Sequence, residues 1–112
     1  MTPTERYAAA AREHGDCTRR GDSDAGNEAY RQIMAALGEL RDSADHGEQA
    51  LLELIDHSDE WVRVWASTHL LPICEEPARA VLERAANGPS SLVEFNAKMV
   101  LQEWQAGRLR LS

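Results

Sequence analysis

The feature that most restricts this chain is a self-similarity in its second half. Ala50, Leu51 and Leu54 are followed, 31 positions later, by Val81, Leu82 and Ala85; the turn from Asp56 to Ser58 is matched by Asn87 to Pro89; Val62, Ala66 and Leu70 are matched by Val93, Ala97 and Leu101. An apolar face, a turn and a second apolar face therefore recur in phase. Neither unit can bury its face alone, and stacking one on the other removes both from water.

The spacing inside these units is helical. Apolar residues recur at intervals of three and four nearly everywhere and nowhere alternate for long enough to make a strand, so the chain reads as all-α. Tyr7, Ala10, Ala11, His14 and Thr18 share one face of a first helix over about 4–20. "RGDSD" breaks it, because Gly21 relaxes the backbone and Asp22, Ser23 and Asp24 are competent N-caps. A second helix to about Arg41 buries Ala29, Ile33, Ala36, Leu37 and Leu40, with Tyr30 and Met34 beside the stripe. After the polar break 42–49, Ala50, Leu51, Leu54 and Ile55 mark a short third helix ending near His57, and Ser58 or Asp59 caps a fourth.

The fourth helix is apolar on two sides. Val62, Ala66, His69 and Leu70 lie on one and Trp61, Val64, Thr68 and Leu71 on the other, with Trp65 between, so it is sandwiched between neighbours. Pro72 ends it. Pro77 suits the first turn of a fifth helix carrying Ala80, Val81, Leu82 and Ala85. A sixth helix, from about Leu92 to Ala106, buries Val93, Ala97, Val100, Leu101 and Trp104 and stops at Gly107. The expected architecture is one domain over 1–112 made of three stacked antiparallel hairpins. Residues 4–41 do not share the repeat and form a capping hairpin, while 46–73 and 76–106 are the repeated ones. A chain of 112 residues closes such a core without a disulfide or a metal.

Charge narrows the partners. Nineteen Asp and Glu against twelve Lys and Arg leave a formal charge of −7, which repels nucleic acid and anionic membranes and attracts a basic protein. No apolar run approaches a membrane span or a secretory leader, so a cytoplasmic protein is expected. Cys17 and Cys74 lack CxxC spacing and read as two reduced thiols.

The densest group of reactive side chains is "LIDHSDEWVRVWASTHLL", residues 54–71. Asp56, His57, Asp59 and Glu60 could ligate a metal, and a small metal-dependent hydrolase using this acidic turn with His57, His69 or His14 is the alternative function. However, neither HExxH nor CxxC is present. Acids at a helix start are what capping and the helix dipole favour, and capping is the preferred reading. His69 shares a face with Val62 and Ala66 and matches Val100 in the next unit, which describes a hydrogen-bonded core histidine better than a general base. Neither cysteine has a patterned His or Asn partner for nucleophilic chemistry. No catalytic residue, metal or cofactor is expected. The candidate contacts to a protein partner are Asp56, Asp59, Glu60 and Trp61, with Trp61 either an interface anchor or packed against the first hairpin.

"LLELIDHSDEWVRVWASTHLL" resembles a HEAT-type repeat, in which a helix ending in Leu-Leu and Asp leads through an acidic turn to a Val-Arg pair with Ala and Leu on the inner face. Asp56, Asp59, Val62, Arg63, Ala66 and Leu70 match that pattern at a shorter period than usual. "AGNEAYRQI", "VRVWASTHLL" and "FNAKMVLQEW" are similar to small bacterial HEAT-like domains of uncharacterised function. The resemblance implies a stand-alone cytosolic protein of the kind associated with toxin and immunity loci. It also implies that Arg63 pairs with an acid of a neighbouring repeat, and it supplies no active-site residues. A protein-binding module, such as an immunity protein that occludes a basic toxin, is the expected function.

Overall fold

In a computed structural model of the chain, residues 1–109 are described, and six helices account for most of them. They are α1 (Pro3–Arg20), α2 (Ser23–Arg41), α3 (Glu48–Leu54), α4 (Glu60–Leu70), α5 (Glu75–Ala86) and α6 (Ser91–Gln105). No strand occurs among the described residues. Consecutive helices pack in pairs, α1 on α2, α3 on α4 and α5 on α6, and α4 also packs on α5. The fold is the expected stack of helical hairpins.

Local chemistry sets most helix ends. Thr2 accepts from the Glu5 backbone N–H while Glu5 reaches back to the Thr2 N–H, a reciprocal capping box that starts α1 one residue earlier than the apolar pattern suggests. Asp22 caps α2 through the N–H of Ala25, and Asp59 caps α4 through the N–H groups of Trp61 and Val62. The 42–47 turn needs a left-handed backbone at His46 and Gly47. A side chain at Gly47 would also press on Leu40, 3.2 Å away. Helix α3 ends at Leu54 rather than near His57, because Asp56 and His57 donate to the carbonyls of Glu53 and Leu54 in tighter three-residue turns.

One core runs through all six helices. Leu51, Leu54, Val62, Ala66, Leu70, Leu82, Val93 and Ala97 are all buried in it, and the repeat-related pairs Val62/Val93 and Ala66/Ala97 occupy equivalent buried positions. Helix α4 is covered on nearly every side, with only Arg63 and Trp65 half-buried beyond its first turn. That is the sandwich its two apolar faces predict.

Four expectations need correction. Thr18 is exposed, its hydroxyl returned to the His14 carbonyl at 2.9 Å, and the buried side of α1 runs instead through Gly15 and Cys17. On α5, Ala78 and Ala86 are buried whereas Ala80 is exposed and Ala85 half-buried. Leu101, Val100 and Trp104 are half-buried against the core, because α6 closes the end of the stack, packed on α5 and α4 and with a cleft between it and α2. Arg63 donates to the carbonyls of His57 and Ser58, at 2.9 and 3.0 Å, instead of to an acid of the next hairpin.

The first hairpin is set against the others through α1, which packs on α4 and on α3 as well as on α2. Close approach is possible because Gly15 faces the Trp61 indole. A Cβ there would lie 2.2 Å from Trp61 Cδ1.

Candidate functional site

The 54–71 stretch separates into a turn, a buried cluster and a cleft. In the turn, the Asp59 carboxylate is occupied by two backbone N–H groups, with Arg12 Nε 3.8 Å away. His57 Nδ1 accepts from the Asp59 N–H at 3.0 Å, and the Arg63 guanidinium ties down the preceding carbonyls. These side chains hold the shape of the turn. Asp56 is exposed, and Glu60 lines a cleft of about 180 Å³ with Arg63, Arg84, Ser90 and Val93. Trp61 is only 3% exposed. Of its two possible fates, packing against the first hairpin is the one realised, which removes its indole from the accessible surface.

The buried cluster centres on His69. Its Nδ1 and the Tyr7 hydroxyl share a 2.7 Å hydrogen bond linking α4 to α1. In the Nε2–H tautomer the hydroxyl donates and Nδ1 accepts. Burial first, and the Arg41 charge second, bring His69 down to about 4; burial holds the Tyr7 phenol well above its usual value. Both are therefore neutral at neutral pH. The Trp65 ring adjoins the His69 ring at 5.7 Å, the His14 ring at 5.1 Å and the Tyr30 ring at 6.0 Å, so aromatic contacts run from α1 and α2 across to α4. Burial also lowers His14.

The cleft lies beside this cluster. Tyr30 and Met34 of α2, Val64, Trp65, Thr68 and His69 of α4, and Asn96 and Val100 of α6 enclose about 200 Å³. Next to it, α6 turns Leu92, Phe95 and Met99 outward, 44, 64 and 46% exposed. On a helix of 3.6 residues per turn these three form one stripe, and Asn96 lies between that stripe and Val100. Sequence alone does not single out this surface. The spacing 92, 95, 99 was visible, but α6 is apolar around much of its circumference, and which side is covered depends on neighbours that spacing does not specify.

Of the histidines considered for hydrolytic chemistry, His57 lies in the turn before α4 and accepts from the Asp59 N–H, whereas His69 near the end of α4 and His14 on α1 both pack against the Trp65 ring. No group of three or more His, Cys, Asp or Glu suited to a metal ion occurs among the described residues. Cys17 and Cys74 are free thiols. Burial and a hydrogen bond to Glu13 raise Cys17, which suppresses the thiolate a nucleophile requires. Many cations are engaged internally. Arg6 pairs with Glu39, Arg19 with Asp16, Arg31 with Glu28, Arg79 with Glu75, Lys98 with Glu94 and Arg108 with Glu103. Among the described residues, no helix is long and apolar enough to cross a membrane.

Comparison of the chain with family models, curated proteins and solved structures gives no match.

Proposed function

We propose that the chain is a non-catalytic protein-binding module whose partner is a basic protein. The observation that carries this reading is how the reactive side chains of residues 54–71 are used. Asp59 caps a helix, Arg63 holds two carbonyls, and His69 is hydrogen-bonded to Tyr7 and brought down to about 4. Each is committed to holding the stack together. Of the acids in the same region, Asp56 is exposed and Glu60 is half-buried beside Arg63 and Arg84, so Asp56 and the net charge of −7 are what favour encounter with a positively charged surface. Asp59 contributes to that field from its capping position.

In its most specific form, the chain is a cytoplasmic immunity protein that occludes a basic toxin, acting by steric blockage with no turnover. This form draws on the HEAT-type pattern of Asp56, Asp59, Val62, Arg63, Ala66 and Leu70 and on the hairpin stack around it. The test is capture from extract of the source cells at low ionic strength, followed by elution with salt. A basic protein released stoichiometrically by salt is expected. A chain that retains no protein but consumes a metabolite or carries stoichiometric metal would overturn the reading.

A further inference from the structure

His69 is held through only one of its two nitrogens. The Tyr7 hydroxyl belongs to a side chain that is 0% exposed, and its one partner among the described residues is His69 Nδ1 at 2.7 Å. If Nδ1 carried the ring proton, the Tyr7 proton would be left in the core without an acceptor. The hydroxyl therefore donates, Nδ1 accepts, and the single proton of the neutral ring sits on Nε2. Burial keeps that ring neutral at neutral pH. No group among the described residues accepts from Nε2, although the His69 side chain is only 3% exposed. The two nitrogens diverge across the ring. With Nδ1 turned to α1, Nε2 is turned the other way, where His69 lines the cleft of about 200 Å³ enclosed by α2, α4 and α6.

We propose that this cleft binds a small planar heteroaromatic molecule of two fused rings, whose ring nitrogen or carbonyl oxygen accepts the His69 Nε2–H. Size sets the number of rings: a dry cavity of about 150 Å³ takes up benzene, and this cleft is larger. The walls set the planarity. Val64 and Val100 are apolar, and the Trp65 and Tyr30 rings, 6.0 Å apart and tilted by 49°, offer aromatic surface to pack on. Hydrogen bonding sets the acceptor. The Thr68 hydroxyl in the same cleft already donates to the Val64 carbonyl at 2.8 Å, which leaves Nε2–H as the buried donor without a partner.

At the exposed mouth, the Asn96 amide has no partner among the described residues and can meet a second polar edge of the ligand. A mostly apolar cleft with a few convergent polar groups is the usual build of a small-molecule site, and this one is at the small end of the range. Water can accept from Nε2 but leaves the aromatic walls wet, whereas a ring with an acceptor on its edge satisfies both. The site goes beyond the protein-binding reading and needs neither a partner protein nor the net charge.

The probe is isoquinoline, which is neutral at neutral pH and carries a ring-nitrogen acceptor; indole, of similar size but with an N–H donor in its place, is the counterpart. Proton–nitrogen correlation spectra of the imidazole first read the tautomer, with Nε2 protonated and Nδ1 bare as the expected result. A protonated Nδ1 would overturn the proposal, because the donor would be gone. Isoquinoline is expected to shift the Nε2 signal and to saturate with a dissociation constant of about 1 mM or below, at least about fivefold tighter than indole. Val100→Trp, at a half-buried position, and Asn96→Trp, at an exposed one, fill the cleft from its α6 side, and each should weaken isoquinoline by about tenfold or more. Circular dichroism and the His69 Nδ1 signal report whether each variant keeps the fold, and Asn96→Trp carries the test if Val100→Trp does not. Phe95→Ala, exposed on α6 outside the cleft, should bind like wild type. The absence of a saturable shift, equal affinity for indole, or undiminished binding to a folded blocking variant would overturn the proposal. A loss in Phe95→Ala equal to that in the blocking variants would do the same, by placing the probe on the outer side of α6. Capture of a basic partner is measured without the probe, so the protein-binding reading stands or falls separately.

Discussion

Gly15 and Gly38 both sit inside long helices, and replacing each with alanine should move stability in opposite directions. At Gly38 a Cβ meets nothing within 4 Å, so Gly38→Ala should gain the usual helix-interior benefit, about 0.5–1 kcal/mol. At Gly15 the new Cβ would lie 2.2 Å from Trp61 Cδ1, 2.4 Å from Cγ and 2.8 Å from Nε1. Trp61 cannot swing aside, being rigid and 3% exposed in the core, so α1 and α4 must separate. Overpacking of this kind costs about 1–3 kcal/mol, and a contact this short belongs in the upper part of that range. After subtracting the propensity gain, the net loss should be about 1–2 kcal/mol, or roughly 5–10 °C in melting temperature. Urea titration followed by circular dichroism and tryptophan fluorescence measures both variants. In a Trp61→Leu background the penalty at Gly15 should largely vanish, since the clashing atoms are gone. If Gly15→Ala matched Gly38→Ala in sign, or kept its penalty without Trp61, the proposed contact between the first hairpin and the repeats would be wrong.

Other perturbations test other parts of the account. The unfolded His69 takes up its proton near 6.5 and the folded one near 4, so stability should fall as pH drops between these values, by on the order of 3 kcal/mol in all. Burial lowers His14 too and adds in the same direction. His69→Gln, which keeps an acceptor for Tyr7, should flatten most of that slope and leave partner binding intact; an unchanged slope would place the titration elsewhere. Leu70→Ala, at a fully buried position, should cost about 2–5 kcal/mol in urea melts. Asp59→Ala should cost about 0.5–2 kcal/mol through the lost cap, and a neutral result would mean that the turn holds itself.

The residues that fixed helix ends were readable because their chemistry is local. Asp22 and Asp59 cap wherever their neighbours fold, and the in-phase repeat of Val62 and Ala66 with Val93 and Ala97 identified the buried side of the second hairpin in terms of the third. Where small residues dominate, the face was ambiguous. On α5 the apolar moment of Val81 and Leu82 is clear, but alanines on either side give little preference, and the buried pair proved to be Ala78 and Ala86. Gly15 was not legible at all, because a glycine inside a helix signals weakness until the indole it accommodates is known. The fate of Trp61 was undecided for the same reason. Both questions concern how the first hairpin, which lacks the repeat, meets the other two, and periodicity within one helix carries no information about that docking.

We propose a module in which this acidic stack binds a basic protein through charge and a fixed surface. Its most direct test is calorimetric titration of the captured partner at low and high salt, into wild type and into Asp56→Lys with Glu60→Lys. Asp59 is left in place because its carboxylate caps α4, and changing it would confound binding with stability. The account predicts that salt weakens the wild-type complex, and that the double variant, with unchanged helicity, binds about tenfold or more weakly and with a smaller salt dependence. Equal affinities and equal salt dependence for the two folded proteins would contradict it.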